Sequence, residues 1–142
     1  MSPRVVPREH AITVRGTRLA WRQWGEDHEY PVLALHGWLD NAASFDALGP
    51  LLAGHRVIAL DLPGHGRSAH RGPDASYNIW DDLPDLAWFT AELGLARYAL
   101  LGHSRGAAIA ALLAAIEAPA VSSLVMIDSM LTPMFRAEQT VE

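Results

Sequence analysis

Tyr98-Ala99-Leu100-Leu101-Gly102-His103-Ser104-Arg105-Gly106-Ala107-Ala108 is the stretch that decides the fold. Tyr98 to Leu101 is a short apolar run that ends at Gly102, and Ser104 to Glu117 is almost wholly apolar and ends before Pro119. The lengths predict a strand running directly into a helix. Between the two, Gly102-His103-Ser104-Arg105-Gly106 fits G-x-S-x-G. In that motif the serine occupies a sharp, strained strand-to-helix turn that exposes its hydroxyl at the edge of the sheet. A glycine two residues to either side removes side chains that would clash in so tight a turn. Ala107 and Ala108 keep the following helix close to the sheet. A five-residue pattern also arises by chance, as a plain glycine-bounded loop; the strand before it and the helix after it are the context the motif requires.

Outward from this stretch, three more apolar runs end at turn or acidic residues. Val32-Leu33-Ala34-Leu35 precedes His36-Gly37, Val57-Ile58-Ala59-Leu60 precedes Asp61, and Leu124-Val125-Met126-Ile127 precedes Asp128. Short, continuously apolar strands suit a parallel sheet covered on both faces. Nearer the N-terminus, Ile12-Thr13-Val14 and Leu19-Ala20-Trp21 flank Arg15-Gly16-Thr17 and predict an antiparallel hairpin. Helical patterns lie between the runs: one capped by Ser44 and reaching Leu52, and one with Leu83, Leu86, Ala87, Thr90, Leu93 and Leu95 near helical spacing, whose stretch stops at Gly94. Alternating strands and helices predict an α/β sheet, and such sheets bind ligands at the carboxyl ends of their strands.

The residues after each strand therefore carry the chemistry. A tetrahedral oxyanion needs two backbone N–H donors, one following the nucleophile and one from an earlier strand-to-helix loop. Arg105 N–H and Trp38 N–H, in His36-Gly37-Trp38, are the candidates. His36 itself is expected to be a hydrogen-bonded structural imidazole. Gly64-x-Gly66-x-x-Ala69 formally matches a dinucleotide fingerprint, but Arg71-Gly72-Pro73 interrupts the helix that would have to open at once. None of the seven histidines falls in an H-x-x-x-H or H-E-x-x-H spacing, so no metal site is expected. The five tryptophans are expected in the core or as pocket walls, and Asp81, Asp82 and Asp85 as the solvated, dipole-favoured start of a helix.

The composition sets the outer limits. The 142 residues suit one domain, and half of them are hydrophobic against 19% charged, which points to a folded core. A net charge of −5 with no basic run excludes an electrostatic footprint for nucleic acid or anionic lipid. With no cysteine there is no disulfide framework and no thiol nucleophile. The longest uninterrupted apolar run, Ala107 to Ile116, falls short of the roughly 20 residues of a membrane-spanning helix, and the first nine residues hold no signal-peptide core. A soluble, cytoplasmic protein is the expectation.

Taken together, His36-Gly37-Trp38, Asp61 to Ser68 and Gly102 to Gly106 resemble the α/β-hydrolase superfamily, and more closely its serine hydrolase-like and esterase branch. The resemblance covers essentially the whole chain but only the N-terminal part of the family's fold, with the hairpin as strands one and two and the four apolar runs as strands three to six. It implies a mostly parallel sheet flanked by helices and nucleophilic acyl transfer at Ser104, with the amides of Trp38 and Arg105 holding the oxyanion. It implies His36, Gly37, Gly102, His103 and Gly106 as the structural frame of the site. A small hydrophobic ester-like molecule would be the substrate, with no metal and no organic cofactor. Serine at the elbow separates the chain from branches that use a carboxylate nucleophile.

One departure is large. The family's triad runs Ser, then Asp or Glu, then His, yet every histidine from His10 to His103 precedes Ser104. Asp128, 24 residues after Ser104, stands where some branches carry the acid and many others a structural aspartate. Residues 1–142 are thus expected to be the N-terminal portion of a single domain, a truncated chain with its true start at Met1. The segment Met130 to Glu142 would lead into a lid, and the strand at Leu124 to Ile127 would be an exposed apolar edge. Two other functions remain open: a non-catalytic binding or interaction domain that self-associates through that edge, and a cofactor-binding domain using Gly64 and Gly66.

Overall fold

The computed structural model describes residues 5–129, and one six-stranded sheet runs through them. Strands β1 (Arg8–Val14) and β2 (Thr17–Trp24) form the expected hairpin. Its turn residues Arg15 and Gly16 both take positive φ, 49° and 82°, which matches the twist of the flanking strands. The four apolar runs are all strands, each two or three residues longer than the run itself: β3 (Tyr30–Leu35), β4 (His55–Leu60), β5 (Tyr98–His103) and β6 (Val121–Ile127). The order across the sheet is β1-β2-β4-β3-β5-β6. β2 runs antiparallel to β4, and β4, β3, β5 and β6 are mutually parallel.

Alternation along the central strands feeds two cores. Leu33, Leu35, Ile58, Leu60 and Leu100 face helices α1 (Ile79–Glu92) and α2 (Arg105–Ile116), where Leu86, Phe89, Ile109 and Leu113 are fully buried. Val32, Ala34, Val57, Ala59 and Leu101 point the other way, onto Trp24, Ala42 and Phe45. Both faces of the middle of the sheet are thus dry, which is why its strands read as continuous apolar runs.

Three expectations are corrected. The segment from Ser44 to Leu52 is not one capped helix but two short 3₁₀ turns, Ala42–Phe45 and Gly49–Leu51. The first is capped by Asn41, whose side chain accepts from the Ala43 N–H, whereas the Ser44 hydroxyl donates to Asp40. Gly49 packs so close that a side chain there would enter the Trp24 ring, and Pro50 follows it, so no α-helix can run through. The acidic start of α1 is not solvated as a whole. Asp81 is half-buried and accepts the Asn78 N–H at 2.8 Å, and Asp82 and Asp85 are buried. Of the tryptophans, Trp21 and Trp24 are core and Trp38 stands in the loop facing Ser104, whereas Trp80 and Trp88 are exposed on α1.

β6 lies at an edge of the sheet with Val125, Met126 and Ile127 exposed, as expected. The segment assigned to a lid, Met130 to Glu142, and the start at Met1 lie outside the described residues. Among the described residues no helix is long and apolar enough to cross a membrane.

Candidate active site

Strand order locates the site. β3 and β5 are neighbours, but the chain leaves β3 toward β4 on one side and leaves β5 toward β6 on the other. Connections that diverge in this way open a crevice at the carboxyl ends of the two strands. Gly37 follows β3 and Ser104 follows β5. A Cβ on Gly37 would lie 3.4 Å from the Ser104 Cβ and 3.2 Å from the His103 Nδ1, so the two loops meet there.

Ser104 is held at φ 52°, ψ −116°, a conformation that L-residues avoid and that costs of order 1–3 kcal/mol. Its N–H donates to the Ile127 carbonyl of β6 at 2.9 Å, and its carbonyl accepts from the Ala107 N–H at 3.0 Å. The backbone is therefore pinned on both sides while the hydroxyl does not cap the helix it precedes. The glycines of the motif make this possible. A Cβ on Gly102 would lie 2.4 Å from the Ala107 Cα, and one on Gly106 would lie 2.2 Å from the Leu35 carbonyl oxygen and 2.5 Å from that of His36. The first turn of α2 is thus seated directly on the end of β3.

The two candidate oxyanion donors flank this turn. Arg105 opens α2, where an N–H has no intrahelical partner, and Trp38 follows Gly37 in the facing loop. Neither N–H donates a hydrogen bond among the described residues. Leu39 next in the chain takes φ 54°, which turns the loop outward. His36 is fully buried beneath it. Its Nε2 accepts from the Leu62 N–H at 3.0 Å, which leaves the proton on Nδ1 to donate to the Gly37 carbonyl at 2.8 Å. Burial pushes the His36 pKa below its ordinary value, with the nearby His65 ring, 5.1 Å away, acting in the same direction. Both nitrogens are thus used in the frame of the loop.

Two features were not legible beforehand. One is the loop after β4. The Asp61 carboxylate accepts from the Ala42 N–H at 2.7 Å and the Arg67 N–H at 2.8 Å. Ser68 Oγ accepts from the Ala20 N–H at 2.9 Å and donates to the Asp61 carbonyl at 2.5 Å. Gly66 presses against the Asp61 carboxylate, and no helix begins before Ile79, so this glycine-rich stretch is a clamp between strands and lacks the helix of a dinucleotide site. The other is a buried ion network. Arg105 Nη2 donates to Asp82 Oδ2 at 2.9 Å, Arg71 Nη2 donates to Asp82 Oδ1 at 3.0 Å and Asp85 Oδ2 at 2.8 Å, and Arg15 reaches Asp85 at 3.4 Å. Burial pushes the Asp82 carboxyl above its ordinary range, against the pull of Arg105 and Arg71.

Asp128 comes to the same end of the sheet, exposed, at φ 48°, one residue past the Ile127 carbonyl that receives the Ser104 N–H. The structure thus gathers Gly37, Trp38, His103, Ser104, Arg105 and Asp128 at one crevice, with His36 and His65 beside its Trp38 loop, and places His10 and His55 elsewhere. His10 stacks on Trp21, and His55 lies edge-on to Tyr30.

Comparison with known proteins agrees with this geometry. The family model described as alpha/beta hydrolase fold matches residues 30–142. The chain is 38% identical over 122 residues to a "Probable serine hydrolase" of Drosophila melanogaster and 36% identical over 122 residues to a "Serine hydrolase-like protein" of Danio rerio. Those matches cover 84% and 85% of this chain, which spans 37% of the length of each of these two relatives. Among solved structures it is similar to a hypothetical protein of Pseudomonas aeruginosa PAO1, with a TM-score of 0.84 and 44% identity over 94% of this chain and 46% of the other.

Proposed function

The chain belongs to the alpha/beta hydrolase fold family, and from that premise we propose that it carries the nucleophile and oxyanion hole of a serine hydrolase acting on carboxylic esters. Residues 1–142 would be the N-terminal portion of one such domain. The observation that carries the reading is Ser104 itself, strained at φ 52° between β5 and α2, with its hydroxyl committed to no cap and beside it two N–H groups that have no partner among the described residues. A protein keeps such strain where the position has work to do.

In the proposed reaction Ser104 Oγ attacks the ester carbonyl and passes its proton to a general base. The Trp38 and Arg105 amides receive the charge that develops on the carbonyl oxygen. The alcohol departs with that proton, and water hydrolyses the acyl-serine. Such donors are each worth roughly 3 kcal/mol of barrier. Asp128 is the candidate acid of the triad. The sequence holds no histidine after Ser104, so the base is assigned to none of its residues. The exposed Trp38 and Leu39 beside the serine favour a small hydrophobic acyl group.

The test is hydrolysis of p-nitrophenyl butyrate by the protein as its own source makes it, with the intact mass measured on the same sample. Ser104→Ala should reduce turnover to background; turnover at the wild-type rate in that variant rejects the reading. A second reading has its own support in the exposed apolar β6 edge: a non-catalytic module that pairs through β6 with a second copy. It predicts no capture of a fluorophosphonate at Ser104 and concentration-dependent association. A monodisperse monomer that labels rapidly counts against it.

A further inference from the structure

We propose that the Arg105 side chain is a positioning device that fixes both oxyanion donors relative to one another, by fastening the Trp38 ring to the buried ion network at the start of α1. The proposal rests on the serine hydrolase reading above.

The argument begins with burial. The Arg105 side chain is only 9% exposed although it directly follows the nucleophile. A guanidinium so far from water must be paired, and Nη2 donates to Asp82 Oδ2 at 2.9 Å and to the Tyr77 carbonyl at 3.0 Å. Asp82 in turn is held by Arg71, which also binds Asp85 and the Asp81 carbonyl, so the anchor is a lattice of fixed side chains rather than one flexible partner. The far side of the guanidinium meets the indole: Arg105 Cζ lies 5.5 Å from the centroid of the Trp38 ring, within cation–π range. The same indole meets His65 edge-on at 6.4 Å.

Trp38 needs such a hold. Its side chain is 59% exposed and the loop turns out immediately afterwards at Leu39. The His36 Nδ1–H bond to the Gly37 carbonyl fixes the peptide unit that carries its N–H on one side, and the Arg105 guanidinium holds its side chain on the other. Arg105 supplies the second N–H from its own backbone, so one residue links the two donors, by its amide on one side and its guanidinium on the other. Neutralising Asp82 does not explain the arrangement, because Arg71 already pairs with that carboxylate. Nor does stability alone: Arg105 Nη1 is buried with no hydrogen-bond partner among the described residues, an unfavourable placement for a donor. What the placement does provide is the contact with Trp38. Oxyanion stabilisation falls steeply with small displacements of its donors, so loosening one of them lowers the rate while leaving ground-state binding nearly unchanged.

The experiment is a double-mutant cycle on the protein as its source makes it, with p-nitrophenyl butyrate as the probe. Arg105→Met and Trp38→Ala should each lower kcat about tenfold with KM changed less than about twofold. The double variant should be no slower than the slower single variant, because the two groups act as one unit. Binding of an alkyl trifluoromethyl ketone, which forms the oxyanion on Ser104, should weaken by the same factor as kcat falls. Arg105→Lys keeps the charge but not the flat fork and should not restore kcat. Losses that multiply in the double variant, or a kcat within twofold of wild type in Arg105→Met, overturn the proposal. If Arg105→Met does not fold, the exposed Trp38 decides: undiminished kcat in Trp38→Ala overturns it equally. An unreactive Ser104→Ala beside fully active Arg105→Met and Trp38→Ala rejects the positioning role alone. Full turnover in Ser104→Ala, or none in the wild type, rejects the serine hydrolase reading and this role with it.

Discussion

Two serines, one after β4 and one after β5, stand at the same end of the sheet on either side of β3 and are treated in opposite ways. Ser68, in the loop after β4, is buried and spends its hydroxyl twice, accepting from the Ala20 N–H and donating to the Asp61 carbonyl. Its neighbour Asp61 likewise takes the Ala42 and Arg67 amides. Ser104, in the loop after β5, has its backbone pinned at both the N–H and the carbonyl, sits at positive φ, and leaves its hydroxyl out of the cap. Both loops are rich in glycine, so glycine content alone does not separate scaffold from site. The difference lies in where the polar groups are used. In the first loop they fasten the chain to β2 and to the turn at Ala42 and close the loop on itself; in the second the fold holds a strained backbone while the hydroxyl leaves the helix it precedes uncapped.

The comparison is broken most severely at the glycines that permit the strain. Gly106→Val would drive a side chain into the Leu35 and His36 carbonyls, neither of which can yield without moving β3. We expect a loss of about 4 kcal/mol in urea unfolding, together with loss of any reaction at Ser104. A variant within about 0.5 kcal/mol of wild type would show that α2 is not seated on β3 as described. Ser68→Ala should be milder, about 2 kcal/mol, because it strands a buried N–H and a buried carbonyl at once. Ser104→Gly should change sign. Glycine adopts φ 52° without strain, so stability should rise by about 1 kcal/mol after its larger chain entropy is set against the relief. Opposite signs for the two serines, measured by the same denaturant titration, are the sharpest form of the contrast. Equal losses would place Ser104 in the scaffold.

How much of this was legible in the sequence follows from how local each cause is. The strands were, because burial on both faces leaves an unbroken apolar run within one segment, as in Val32 to Leu35. So was the elbow, whose strand, glycines and helix are contiguous. The fate of Asp82 and Asp85 was not, because the arginines that make their burial tolerable are Arg15, Arg71 and Arg105, brought in from a hairpin, a loop and another helix. Nothing near Asp82 in the chain distinguishes it from the half-buried Asp81. The supposed helix from Ser44 failed for a nearer reason that could have been weighed: Gly49-Pro50 lies in its middle, and Asn41 is the better cap. The tryptophans failed because composition counts apolar area without saying which side of a helix faces water. Trp80 and Trp88 lie on the solvent side of α1, while Phe89, next after Trp88, is fully buried.

The smallest expected effect probes the frame under the site, where His36 and Ser68 play parallel parts. His36 is neutral in the folded protein because Nε2 must accept the Leu62 N–H, and burial holds its pKa below the ordinary value. In the unfolded chain the imidazole takes up its proton near pH 6.5. Below that pH the unfolded state binds more protons than the folded one, so stability falls as pH falls, down to the depressed folded pKa. Above about pH 6.5 both states are neutral at this residue and its contribution is flat. Urea unfolding of the wild type and of His36→Asn at pH 7.5 and pH 5.5 isolates the term from the carboxylates, which titrate in both proteins. The wild type should lose more stability than the variant between the two pH values, and rates at Ser104 should follow only as far as the Gly37 and Trp38 loop is loosened. Parallel losses in the two proteins would mean that the Leu62 N–H does not hold His36 in its neutral form. The loop carrying the Trp38 amide would then be anchored by the Nδ1–H bond to Gly37 alone.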